Sequence, residues 1–222
     1  MQSSAPRLCY ITDRRAVEAG ALVPLIRQTA ESGVDMVQIR EKDLPARALL
    51  ELVASALDAG RGTAARVVVN DRLDVALAAG AGGVHLGGES MPATRVKAAL
   101  SAISVESFWI GVSCHSVADV RAAEAAGASY ILLGPIFDTP SKRIYGPPLG
   151  VDVLAQAARN CRIPLLALGG ITPERARTCI EAGASGIAGI SMFQGPGVSV
   201  EDLRRLRQEI IEAAYTERPW NE

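Results

Sequence analysis

Eight times along this chain a short run rich in Val, Ile and Leu gives way to a longer, Ala-rich stretch of helical period, with no linker or composition shift between units. The pattern predicts strands at Leu8 to Thr12, Met36 to Arg40, Arg66 to Asn70, Gly83 to Leu86, Trp109 to Ser113, Tyr130 to Leu133, Pro164 to Leu168 and Gly186 to Ile190. Helical segments such as Leu44 to Ala59, Ser116 to Ala126 and Pro173 to Ala182 lie between them. Ser32-Gly33, Ala59-Gly60, Ala79-Gly80, Ala126-Gly127 and Ala182-Gly183 mark helix ends, where Gly stops a helix by taking the left-handed conformation. Eight such βα units, joined by right-handed crossovers, close into a single (β/α)8 TIM barrel of the α/β class with every helix outside. An open doubly wound sheet is the rival, but the first strand is not followed by the GxGxxG turn expected of it.

Composition fits the barrel. Hydrophobic residues are 49% of the 222 while aromatics are 4%, so the core is built from Ala, Val, Leu and Ile, which suits helices packed closely on buried parallel strands. One domain is expected over 1–222, with its core at about 8–217 and a short C-terminal tail. A net charge of −1 supplies no field for nucleic acid or an acidic membrane, so any anion site must be local. Cys9, Cys114, Cys161 and Cys179 have no metal-ligand spacing and read as reduced thiols in apolar surroundings. With neither a signal-peptide segment at the N-terminus nor a run of about 20 apolar residues, a cytoplasmic protein is expected.

In such barrels the chemistry gathers at the carboxyl ends of the strands. The second predicted strand ends Gln38-Ile-Arg40-Glu41-Lys42, and alternation puts Gln38, Arg40 and Lys42 on one side, with Ile39 and Glu41 on the other. Charge on the inward side of a barrel strand needs a partner, which favours a ligand over a solvated surface run. The third ends Asn70-Asp71-Arg72, where Asp71 either holds a cation or substrate amine or caps the following helix. The fourth gives His85-Leu-Gly87-Gly88-Glu89-Ser90, with two glycines that permit close backbone approach and Glu89 or Ser90 within reach of a ligand.

The fifth strand ends Ser113-Cys114-His115, and Ser116-Val-Ala-Asp119 has the form of a capping box. Adjacent strand residues diverge, so Cys114 and His115 do not form a nucleophilic dyad; His115 alone is a candidate proton carrier, and His85, inside its strand, reads as internally bonded. After the sixth strand a long connection carries Thr139-Pro140-Ser141-Lys142, two hydroxyls and an ammonium suited to phosphate oxygens. The seventh and eighth strands lead into Gly169-Gly170-Ile-Thr172-Pro173 and Gly189-Ile190-Ser191, whose backbone N–H groups suit a phosphate cradle that uses main-chain donors in place of charge.

Taken together, these strand ends resemble the thiamine-phosphate synthase and thiazole tautomerase (TenI-like) family, from about Leu8 to Met192. The resemblance implies that Gln38, Arg40, Lys42, Asn70, Ser113, Thr139, Ser141 and Lys142 bind a pyrimidine pyrophosphate and that Gly170, Ile190 and Ser191 hold a thiazole phosphate. It further implies that Arg40, Lys42, Lys142, Ser113 and His115 serve the reaction and that Mg2+ sits on Asp71. In synthases of this family the pyrimidine methylene carbon ionises before the thiazole nitrogen attacks, so no protein nucleophile is needed. The family's second magnesium carboxylate falls on Ser90 here, leaving Glu89, Ser90 or water in its place. Three readings follow: a synthase, a thiazole phosphate tautomerase with His115 as acid and base, and a non-catalytic barrel that binds a thiamine precursor. The implied partners are phosphorylated pyrimidine and thiazole small molecules and, for the assembly, a possible homo-oligomer.

Overall fold

A computed structural model describes residues 8–139, 147–195 and 197–216. Its strands β1 (Leu8–Ile11), β2 (Met36–Ile39), β3 (Arg66–Asn70), β4 (Gly83–Leu86), β5 (Trp109–Cys114), β6 (Tyr130–Leu133), β7 (Leu165–Leu168) and β8 (Gly186–Gly189) are all parallel and close in sequence order, β8 pairing back to β1. The expected barrel is therefore present, with strand limits displaced by a residue. Thr12, Arg40, Pro164 and Ile190 fall just outside their strands, and Cys114 falls within β5.

Outside the barrel run α1 (Leu22–Glu31), α2 (Ala46–Ala59), α3 (Leu73–Ala79), α4 (Ala93–Ala102), α5 (Val117–Ala125), α6 (Gly150–Arg159), α7 (Pro173–Glu181), the short α8 (Ser191–Gln194) and α9 (Val200–Thr216). Alternation along each strand sorts its side chains. Cys9, Ile11, Met36, Val68, Tyr130, Leu132, Leu166 and Ala188 pack together in the barrel, whereas Leu8, Tyr10, Val37, Ile39, Val67, Val69, Ile131, Leu133 and Ile187 pack against the helices.

The Gly-terminated helix ends take one form four times. After α5, Gly127 (φ 85°) donates to Glu124 O and Ala128 to Ala123 O; Gly33, Gly80 and Gly183 close α1, α3 and α7 with the same pair of bonds. These are Schellman ends, which satisfy the last carbonyls and turn the chain into the next strand. Gly60 departs from the expectation: its φ is −84°, within the helical range, and the left-handed residue is Gly62. The turn Arg61-Gly62-Thr63 carries the chain to β3 and removes the need for a left-handed Gly60. Cys9, Cys114 and Cys179 are buried and Cys161 half-buried, all four as free thiols. Among the described residues no helix is long and apolar enough to cross a membrane.

Candidate active site

At the carboxyl end of the barrel, inward-facing positions of neighbouring strands meet in polar contacts. Gln38 is 1% exposed; its Nε2 donates to Asn70 Oδ1 at 3.0 Å, joining β2 to β3, while its own Oε1 is buried with no hydrogen-bond donor among the described residues. Leaving a buried acceptor unpaired costs about 1–3 kcal/mol, so the amide is arranged for a donor that the described residues do not supply. Arg40 lies half-buried one residue beyond β2, close enough to His85 for its charge to disfavour imidazolium there, and Lys42 is exposed at the rim. Neither cation has an ion-pair partner among the described residues.

Glu41 turns the other way, as alternation predicts, and does work that sequence reading missed. Its buried carboxylate accepts from Thr12 Oγ1 at 2.7 Å, from Arg14 N at 3.0 Å and from Arg14 Nη1 at 3.3 Å, and Thr12 Oγ1 in turn accepts from Arg40 N at 3.0 Å. Arg14 also grips Asp43 through two bonds of 2.6 Å. The loops after β1 and β2 are thus clamped beneath Arg40. A Thr at a strand end beside a buried acid is a weak signal, because pairing between the two ends is invisible in one-dimensional sequence.

Asp71 loses one of its two readings. It holds a left-handed φ of 67°, unusual for a residue with a side chain, and the cap position of α3 belongs to Arg72, without a side-chain cap bond. Its exposed carboxylate therefore does not cap the helix and accepts no hydrogen bond among the described residues. Ser90 is engaged in its own turn, its Oγ accepting from Gly87 N at 2.7 Å, and Glu89 is exposed beside it. No group of three or more His, Cys, Asp or Glu among the described residues forms a protein metal cage.

On β5, Ser113 Oγ lies 2.8 Å from His85 Nε2, and His85 Nδ1 lies 3.1 Å from the Tyr130 hydroxyl. Burial, reinforced by Arg40, pushes the His85 pKa down to about 3, so this imidazole is neutral. His115 is exposed beyond the strand, and its Nδ1–H donates to the Gly134 carbonyl, while Nε2 has no hydrogen-bond partner among the described residues. The capping box forms with one change: Ser116 Oγ accepts from Asp119 N at 3.1 Å, but Asp119 reaches back to His115 N, at 2.9 Å, rather than to Ser116.

The cradle strands β7 and β8 are neighbours, Leu168 pairing with Ala188. Gly170 has φ 64°, and a Cβ there would sit 2.7 Å from Asp138 O and 2.8 Å from Phe137 Cβ, so only Gly lets this loop pack under the one after β6. Arg175 fixes the Gly170 carbonyl at 2.8 Å while lying over the Phe137 ring. Thr172 caps α7 through Arg175 N with Pro173 first in the helix, as the sequence predicts. Ile190 is the cap residue and Ser191 the first residue of the four-residue α8; Phe193 N and Gln194 N donate to Ile190 O, while Ser191 N and Met192 N have no acceptor within the helix. Thr139 is the last residue described before the gap; Ser141 and Lys142 lie outside the described residues.

A family model described as thiamine monophosphate synthase matches residues 8–193. A putative thiamine-phosphate synthase of Geobacter sulfurreducens is 45% identical over 83% of this chain and 84% of its own length. The thiamine-phosphate synthase of Roseiflexus sp. (strain RS-1) is 38% identical over 94% of this chain and 86% of that protein. Among solved structures, a thiamine phosphate pyrophosphorylase from Pyrococcus furiosus superposes with a TM-score of 0.84 at 32% identity, covering 95% of this chain and 98% of its own.

Proposed function

We infer the reaction from one premise: the chain belongs to the thiamine monophosphate synthase family. It is a transferase that joins 4-amino-2-methyl-5-hydroxymethylpyrimidine pyrophosphate to thiazole phosphate. A C–N bond forms to the thiazole nitrogen, the C–O bond to the diphosphate breaks, and thiamine phosphate and pyrophosphate leave.

The observation that carries this reading is the orphaned Oε1 of Gln38. A buried amide oxygen beside Asn70 suits the exocyclic amino group of an aminopyrimidine, which supplies the missing donor. Arg40 and Lys42, free of ion pairs among the described residues, take the diphosphate and stabilise the charge it gains as it departs. The family resemblance assigns Thr139, Ser141 and Lys142 to the same diphosphate, Ser141 and Lys142 lying outside the described residues. Gly170, Ile190 and Ser191 hold the thiazole phosphate by main-chain donors. Magnesium is usually held by one or two carboxylates together with substrate phosphates, and the free carboxylate of Asp71 fits that donor set better than a closed protein cage would. Bound there, the ion supplies charge neutralisation to the diphosphate oxygens.

Calorimetric binding tests the Gln38 assignment. Wild type is expected to bind the aminopyrimidine diphosphate about tenfold or more tightly than an analogue lacking the amino group, and Gln38→Leu to lose that preference. Equal discrimination by both proteins would remove the assignment.

The Nε2 of His115, without a hydrogen-bond partner among the described residues, favours a second reading, thiazole phosphate tautomerisation with this imidazole as acid and base. In that case thiazole phosphate alone is turned over and His115→Ala abolishes the reaction. Ligand binding without either turnover is the outcome expected of a non-catalytic barrel.

A further inference from the structure

Gly111 stands between two aromatic side chains that reach across it. In the barrel register His85 of β4 pairs with Gly111 of β5, and Gly111 pairs with Tyr130 of β6. A Cβ on Gly111 would lie 2.1 Å from Tyr130 Cζ and 2.5 Å from His85 Nδ1. The missing side chain is the space in which the phenol and the imidazole meet. Two residues further along the same strand, on the same inward side, Ser113 receives the other imidazole nitrogen. The chain Tyr130–His85–Ser113 thus climbs from the dry interior to the mouth of the barrel.

Proton positions along this chain follow from counting donors. Tyr130 is fully buried, and among the described residues its hydroxyl has His85 Nδ1 as its hydrogen-bond partner. If Nδ1 carried the imidazole proton and donated to the phenol oxygen, the phenolic O–H would be left without an acceptor, at a cost of about 1–3 kcal/mol. The satisfied arrangement has Tyr130 O–H donating to Nδ1 and Nε2–H donating to Ser113 Oγ. An imidazole that accepts at Nδ1 has only that one N–H to give.

We propose that His85 and Tyr130 are positioning residues that hold Ser113 as an acceptor on its inner side, so that its hydroxyl proton is turned toward the substrate. Ser113 is then a hydrogen-bond donor to an acceptor atom of the substrate, a ring nitrogen or a phosphate oxygen, and is not a nucleophile activated by histidine. The proposal rests on the synthase reading for the identity of the substrate. The proton arrangement itself does not.

Two measurements test it. The sequence has two histidines, and 15N spectra of the imidazole nitrogens, assigned with His85→Gln, are expected to show His85 protonated at Nε2 and bare at Nδ1. The opposite tautomer would overturn the proposal, since Ser113 would then give its proton to His85. The second is a double-mutant cycle on kcat/KM for pyrophosphate release, with unfolding midpoints recorded for each variant. Ser113→Ala and His85→Asn are each expected to lose about tenfold, and the pair no more than about tenfold. His85→Gln, whose amide N–H can stand where Nε2–H stood, is expected to recover most of the loss. Additive losses, or no difference between Asn and Gln, would reduce His85 to a packing residue and overturn the assignment. If His85→Asn does not fold, the tautomer decides alone. If the wild-type chain shows no synthase turnover, the synthase reading has failed, the tautomer result still stands, and the cycle is read on aminopyrimidine diphosphate binding.

Discussion

Thr12 and Glu41, 29 positions apart, meet through a hydrogen bond of 2.7 Å in which the threonine hydroxyl donates to a buried carboxylate. Because the same hydroxyl accepts from Arg40 N, the contact sets where the backbone of β2 delivers its guanidinium. Thr12→Val removes both bonds at once and leaves a buried acceptor and an amide short of partners. A stability loss of about 1–3 kcal/mol is expected in urea unfolding. In kinetics, KM for the pyrimidine diphosphate is expected to rise while KM for thiazole phosphate stays as in wild type. A parallel rise in both would show that the clamp has only a general structural role.

Gly111→Ala drives a methyl group into the Tyr130 and His85 rings, with approach distances of 2.1 to 2.5 Å that neither ring can relieve along its own strand. Overpacking of a full core layer costs about 1–3 kcal/mol and here displaces His85 from Ser113. The expected outcome is a lowered Tm with loss of the Nε2 contact in the imidazole spectrum. A variant with wild-type Tm and an unchanged spectrum would contradict the packing described.

His85 also makes stability depend on acid. Its folded pKa, near 3, lies below that of an exposed histidine, near 6.5, so between these values the unfolded chain binds more protons than the folded one. Stability therefore rises with pH across this window: the contribution is full above about pH 6.5 and is lost as pH falls toward 3. The slope approaches about 1.4 kcal/mol per pH unit near its middle. Denaturant midpoints measured from pH 7 to pH 4 are expected to fall, and His85→Gln is expected to flatten this part of the curve. An identical slope in wild type and variant would assign the acid sensitivity elsewhere.

Ser90 offers a test of the metal account. Its hydroxyl accepts from Gly87 N, and an aspartate there can accept the same N–H with one oxygen while presenting the other. Ser90→Asp is expected to lower the magnesium concentration for half-maximal activity on the order of tenfold, equivalent to about 1.4 kcal/mol of added attraction. An unchanged magnesium dependence would show that the substituted carboxylate has no part in holding the ion.

The barrel was legible because each βα unit carries its own signals: a strand of period two and a helix end marked by Gly. Gly60 misled, since Ala-Gly before a strand looks like the other helix ends, and only the dihedral angle reveals that the turn is displaced to Gly62. Among the site residues, alternation along β2 correctly separated Gln38 from Glu41. Asp71 stayed open in sequence because a cap and a ligand use the same residue type; its positive φ, with Arg72 at the cap position, removed the cap reading. The contacts between strands were beyond reach. Thr12 with Glu41, and Tyr130 with His85 across Gly111, depend on barrel register, which a single strand does not encode.

Turnover tests the central claim most directly: purified protein with aminopyrimidine diphosphate, thiazole phosphate and magnesium, with pyrophosphate and thiamine phosphate both quantified over time. The synthase reading requires the two products to appear in equal amounts and only when both substrates are present. Pyrophosphate release no faster than in the absence of protein, at high enzyme concentration, would contradict it.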